Sequence, residues 1–131
     1  MKFLKFSIVA LLMPVILFSC KKDKDDTVLP VEGKWTGLYG FGIDAPSISY
    51  KLNIKHDGTI EELNVAGNSK GGGSWSFTGN TLTAHYQWKA PLNTVFSIIA
   101  TYDPATQKLT GTWGYDNNAT DGGKWESAKT N

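Results

Sequence analysis

Leu82-Thr83-Ala84-His85-Tyr86-Gln87-Trp88 alternates apolar and polar residues without a break. Successive side chains of a strand point to opposite faces, so this stretch has one buried face and one wet face. The same period of two recurs on either side. Ile48, Tyr50, Leu52 and Ile54 alternate with Ser49, Lys51 and Asn53; Phe96, Ile98, Ala100 and Tyr102 alternate with Ser97, Ile99 and Thr101. Leu109, Trp113 and Tyr115 alternate with Thr110, Thr112 and Gly114. From Val31 onward no stretch carries a helical stripe. Turn residues cut the pattern at regular spacing and predict strands near 33–40, 47–55, 59–65, 73–78, 81–89, 94–102, 108–115 and 122–128. Glu61-Glu62 interrupts the alternation ahead of Leu63 and Val65, which predicts a bulge in the third strand. Eight sequential antiparallel strands predict an all-β, up-and-down β-barrel, whose closure removes exposed edges. A two-sheet sandwich is the alternative.

Composition narrows the function. The chain has 131 residues, thirteen basic and twelve acidic, with a net charge of +1 and no arginine. Near-balanced charge argues against a nucleic-acid partner. The one cysteine excludes an internal disulfide and a cysteine-rich zinc site. No cofactor and no metal is expected.

The first residues read as an address. Lys2 and Lys5 precede an apolar run from Phe6 to Phe18, which is shorter than the ~20 residues needed to span a bilayer. Leu17-Phe18-Ser19-Cys20 follows and resembles the lipobox of bacterial lipoproteins. That resemblance implies a signal peptide over 1–19 and a diacylglycerol-modified, N-terminal Cys20. It places the protein in the cell envelope as an outer-membrane lipoprotein, with the membrane as partner through its lipid. An ordinary secretory signal is the alternative. Lys21-Lys22-Asp23-Lys24-Asp25-Asp26 lacks apolar residues and is expected to be a disordered linker, so that 20–30 tethers a domain at 31–131. The run also resembles the lysine- and acid-rich export signals of Bacteroidetes surface lipoproteins, which implies display outside the cell; a plain spacer on the periplasmic side is the alternative. Asp26-Thr27-Val28 fits the short O-glycosylation pattern of that group.

Four of the five tryptophans sit in Gly-x-Trp triplets: Gly33-Lys34-Trp35, Gly73-Ser74-Trp75, Gly111-Thr112-Trp113 and Gly123-Lys124-Trp125. Each glycine shares a face with its tryptophan and leaves room for a large ring from a neighbouring strand. The first triplet resembles the opening strand of the calycins, the lipocalin and avidin barrels. The chain is shorter than a lipocalin and lacks its helix, and it departs from avidins in its later strands, where the biotin-binding residues do not map one by one. The resemblance therefore implies a small barrel and no particular ligand.

In a meander, hairpins fall at alternate ends. The connections 41–46, 66–72, 90–93 and 116–121 share one end and are long. His56-Asp57-Gly58, Gly79-Asn80 and Asp103–Gln107 sew the other. The long-loop end is the expected mouth. The tether precedes strand one at the sewn end, so the mouth is expected to face away from the membrane. Tyr39, Phe41, Trp75, Trp88, Trp113 and Tyr115 are assigned to the mouth as ligand-binding residues; Trp35, Phe77, Leu82, Tyr102 and Leu109 fill the sewn half. No Lys, Asp or Glu is expected on the aromatic face. The expected ligand is neutral or amphipathic: an apolar ring, an acyl tail or a sugar stacking on indole. The alternative is a solid barrel whose loops bind a protein, as an enzyme inhibitor or an accessory subunit of an envelope complex.

Catalysis is not expected. His56 and His85 read as surface residues. A hydrolase using the mouth carboxylates Asp44, Asp116 and Asp121 is the remaining enzymatic reading. Asp116-Asn117-Asn118-Ala119-Thr120-Asp121-Gly122 reads as a turn, without the spacing of a calcium loop.

Overall fold

The computed structural model describes residues 27–130, and the signal peptide, Cys20 and the charged run that follows it lie outside these described residues. Eight antiparallel strands follow one another as β1 (Gly33–Tyr39), β2 (Ile48–Ile54), β3 (Thr59–Leu63), β4 (Ser69–Thr78), β5 (Thr81–Trp88), β6 (Val95–Asp103), β7 (Lys108–Tyr115) and β8 (Gly123–Thr130). Each pairs with its sequence neighbours, and β1 pairs with β8, so the sheet closes into a barrel. The described chain contains no helix. The alternation read from the sequence is the pleat of this single closed sheet, and the sandwich is not formed.

The bulge falls in the β3–β4 pairing, where the register shifts between Glu62 and Leu63. It comes one step later than the alternation suggested, so Glu62 stays on the inner face with Ile60 and Leu63 turns outward. The largest departure from expectation is β4. It begins at Ser69, so Gly71 and Gly72 are strand and not loop, continuous with Gly73. These glycines are required there. A Cβ on Gly73 would lie 2.0 Å from the His85 carbonyl oxygen of β5. Only a residue without a side chain lets the two strands coil this tightly.

The Gly-x-Trp triplets of β7 and β8 are reciprocal. Gly111 pairs with Trp125, and Trp113 pairs with Gly123. Each indole thus lies across from the other triplet's glycine, and two rings fit into adjacent strands at neighbouring levels.

The sewn half is solid. Val31, Trp35, Leu52, Ile54, Ile60, Leu82, Leu109 and Trp125 are all under 2 % exposed. Tyr102 presents its ring edge-on to Trp35 and to Phe77, at 6.3 Å in each case. Leu29 and Pro30, read from sequence as the end of the tether, belong to this end instead. Leu29 packs on the core, and the Pro30 carbonyl accepts from the Lys129 ammonium at 3.2 Å. Buried Glu32 fixes the segment: it accepts from the Leu29 backbone N–H and lies 2.5 Å from His56 Nδ1 in the β2–β3 turn. Trp35 Nε1 donates to the Val31 carbonyl at 2.8 Å. Residues 29–32 therefore cap the closed end.

Ser127 is the exception in this core. It is 4 % exposed, and its hydroxyl has no hydrogen-bond partner. An unsatisfied buried polar group costs about 1–3 kcal/mol. Ser127→Ala is expected to stabilise the barrel by about 1 kcal/mol, read as a higher midpoint in thermal unfolding.

Candidate functional site

The other end is open and aromatic. A cavity of about 190 Å³ lies between the mouth loops and the solid half. Tyr39 of β1, Trp88 of β5, Trp113 and Tyr115 of β7, and Phe41 of the β1–β2 connection wall it, as their positions in the sequence suggested. Tyr50 of β2, Tyr86 of β5, Phe96 of β6, Glu62 of β3 and Thr94 complete the lining.

The rings hold one another. Trp113 packs edge-on against Tyr39, Phe41, Phe96 and Tyr115, with centroids 5.3–6.0 Å apart. Trp88 lies 4.6 Å from Phe96. Such contacts contribute roughly 0.5–1.5 kcal/mol each beyond area burial, so the wall is ordered before anything binds. Phe41 and Tyr115 form the rim, at 49 % and 42 % exposed, whereas Tyr50 and Tyr86 lie deep, at 6 % and 3 %.

Trp75 is not at the mouth. It takes its place in β4 beyond the strand's midpoint, against the β2–β3 turn at the sewn end. Its backbone N–H donates to the Gly58 carbonyl and its Nε1 to the Lys55 carbonyl at 2.8 Å. The earlier start of β4 accounts for this displacement: four more residues precede Trp75 on the strand than the turn signals implied.

The expectation of a charge-free inner face is also corrected. Glu62 is inside, 5 % exposed. It is stabilised by three donors. Tyr86 Oη donates to Oε1 at 2.7 Å, Trp88 Nε1 to Oε2 at 3.1 Å, and Lys70 Nζ reaches Oε2 at 2.7 Å. The Lys70 ammonium also lies 4.2 Å from the centroid of the Trp88 ring. A buried carboxylate without such partners would be strongly destabilising. The period-two position of Glu62 after Ile60 was the one signal for it in the sequence. Lys70, its counter-ion, is set beside it only by the β3–β4 pairing.

Tyr50 extends the network, its hydroxyl 2.8 Å from that of Tyr86. Burial, followed by the nearby Glu62 carboxylate, pushes the Tyr50 hydroxyl far above the usual tyrosine range. Burial raises Tyr86 as well, with Tyr50 and Glu62 adding to it. Folding therefore favours the protonated phenols. That contribution is complete below pH ~10, the unfolded value, and is lost as pH rises above it toward the folded values. Absorbance titration at 295 nm is expected to show Tyr50 and Tyr86, two of the five tyrosines, ionising only together with loss of the barrel's circular dichroism. Tyr50→Phe is expected to remove one late phenol.

The carboxylates considered for hydrolysis are elsewhere. Asp44, Asp116 and Asp121 do not line the cavity. Asp121 Oδ1 accepts from the Tyr115 backbone N–H at 3.0 Å, and Asn118 Oδ1 accepts from the Thr120 backbone and hydroxyl, so 116–122 uses its oxygens to build a turn. His85 lies on the outer face, hydrogen-bonded to Ser97 at 2.8 Å. Among the described residues no three His, Cys, Asp or Glu side chains gather as a metal site.

No protein-family model matches the chain, and no solved structure matches it. Among curated proteins, a stretch of 63 residues is 33 % identical to a G-type lectin S-receptor-like serine/threonine-protein kinase of Arabidopsis thaliana. That stretch is 48 % of this chain and spans only 7 % of the kinase's length.

Proposed function

We propose that this protein is a lipid-anchored binding protein of the bacterial cell envelope, with a calycin-like barrel that holds a small, mostly apolar ligand at its mouth. The observation that carries this reading is the aromatic cavity of about 190 Å³, formed at the end opposite the incoming chain. A void of roughly 150 Å³ lined by apolar groups accommodates a benzene-sized molecule, so this one suits a single substituted ring. Pockets walled mainly by aromatic side chains with a few fixed polar groups are the usual form of small-ligand sites. Two inputs come from sequence alone: the lipobox-like segment ending at Cys20 and the polar tether after it.

Tryptophan emission titrated with cyclic alcohols, sterols, aromatic compounds, acyl chains and oligosaccharides tests the binding step. A saturable shift is expected for at least one apolar ring compound, weakened about tenfold or more in Trp88→Ala and Trp113→Ala. No shift with any class would remove the reading. For the anchor, Cys20→Ser is expected to move the protein from the membrane to the soluble fraction.

A second reading has its own observation. Ile43, Val65 and Leu92 are 97 %, 75 % and 67 % exposed, one on each of three mouth loops. Such apolar tips suit a protein partner. Replacing 64–68 with a tight turn distinguishes the readings: it should abolish partner capture if the loops bind protein, and leave ring-compound affinity intact if the cavity is the site.

A further inference from the structure

The polar atoms deep in the cavity are oriented. Tyr86 commits its one hydroxyl proton to Glu62 Oε1, at 2.7 Å. Its oxygen, 2.8 Å from Tyr50, must then accept from Tyr50, which commits that proton too. The two indole N–H groups in the wall are spent as well. Trp88 donates to Glu62 Oε2 and Trp113 to the Gly40 carbonyl at 2.9 Å. Lys70 is paired with Glu62 Oε2 at 2.7 Å and is not among the residues walling the cavity. What the deep wall has left to offer a ligand is lone pairs, on Tyr50 Oη above all. Hydroxyls that can still donate belong to Tyr39, Thr94 and Tyr115, which are half-buried or exposed toward the mouth and compete with water.

Charge narrows the choice further. Lys70 neutralises Glu62 within the wall, so an incoming ammonium gains no net partner. An incoming carboxylate or phosphate meets a carboxylate and two acceptor oxygens without an arginine anywhere in the chain to receive it. Burying it there leaves it unpaired.

We propose that the cavity selects small cyclic alcohols: an apolar ring seated among Trp88, Phe96 and Trp113, with one hydroxyl pointing inward to donate to Tyr50 Oη. This rests on the cavity being a ligand site. It adds what the ligand must carry and what is rejected, namely carbonyl-only and acidic relatives of the same shape.

The test is a matched series of equal skeleton and no ultraviolet chromophore, titrated into the full-length protein at neutral pH by calorimetry and tryptophan emission: 4-methylcyclohexanol, 4-methylcyclohexanone and 4-methylcyclohexanecarboxylate. The alcohol is expected to bind about tenfold more tightly than the ketone, the size of one well-placed hydrogen bond, and the carboxylate to bind more weakly still. Tyr50→Phe is expected to bring the alcohol down to the ketone's affinity while leaving the ketone unchanged. Ketone or carboxylate binding as tightly as the alcohol would overturn the selectivity and leave the ligand site standing. An alcohol preference unaltered in Tyr50→Phe would overturn Tyr50 as its acceptor. If none of the three binds up to its solubility, the selectivity for cyclic alcohols falls, while the ligand site stands or falls separately on the wider emission titration.

Discussion

Trp125→Ala should unfold much of the population or lower the melting temperature by about 15 °C or more. Trp125 is 0 % exposed, and its Nε1 donates to the Thr112 carbonyl at 2.9 Å. Removing a buried tryptophan costs about 3–5 kcal/mol, through lost burial and the cavity left behind. In a domain of this size each kcal/mol moves the midpoint by about 4–8 °C. The hole cannot collapse easily, because Trp125 lies across from Gly111, which has no side chain to fill it. Trp125 also supports Tyr50, ring to ring at 5.5 Å, so the deep wall of the cavity should loosen with the core. Thermal unfolding followed by far-ultraviolet circular dichroism gives the stability. Trp125→Phe, which keeps most of the volume, is expected to lose about half as much. Equal losses in both variants would mean that the indole hydrogen bond, and not packing, dominates.

Gly111→Ala is the second large effect, and its cause is backbone. A Cβ at Gly111 would lie 1.9 Å from the Ile99 carbonyl oxygen and 2.6 Å from Ala100 Cα. Neither atom belongs to a flexible side chain, so β6 and β7 must separate or uncoil. Forcing even a methylene into a well-packed site costs about 1–3 kcal/mol, and this contact with a strand backbone belongs at the upper end or above it. The expected loss is on the order of 3 kcal/mol in chemical denaturation. Gly79→Ala is the contrasting control: nothing lies within 4 Å of its Cβ, and only its φ of 63° opposes the change. A smaller loss, about 1 kcal/mol, is expected there.

These two residues also mark what could be read from the sequence. Alternation over 82–88 and 96–102 carries the strand assignment because a barrel strand has one dry face. Closure then follows from the need to pair β1 and β8. The mouth aromatics Tyr39, Phe41, Trp88, Trp113 and Tyr115 were legible because period and hairpin parity together fix both the face and the end. Gly71-Gly72 was not. Consecutive glycines signal a turn in one dimension, and their real cause is the approach of β5, seen only in three. That misreading carried Trp75 to the wrong end. Glu62 was hidden for another reason. A carboxylate enters a core only with partners, and Tyr86, Trp88 and Lys70 stand 8 to 26 positions further along the chain. Leu29 and Pro30 were hidden because a short apolar cap next to a charged run has no period of its own.

The cap at 29–32 sets how anything inside the barrel could exchange. With that end sealed by Val31, Trp35 and the Glu32–His56 contact, the described residues leave the barrel one doorway, at the mouth. Arrival and departure must then cross the same barrier, past Phe41 and Tyr115. Enlarging the doorway, as in Phe41→Ala, should quicken both steps, and departure more than arrival because Phe41 also walls the cavity. Changes to the deep wall should act on residence time alone. The closed end, although it touches no ligand, is what makes the mouth a kinetic gate.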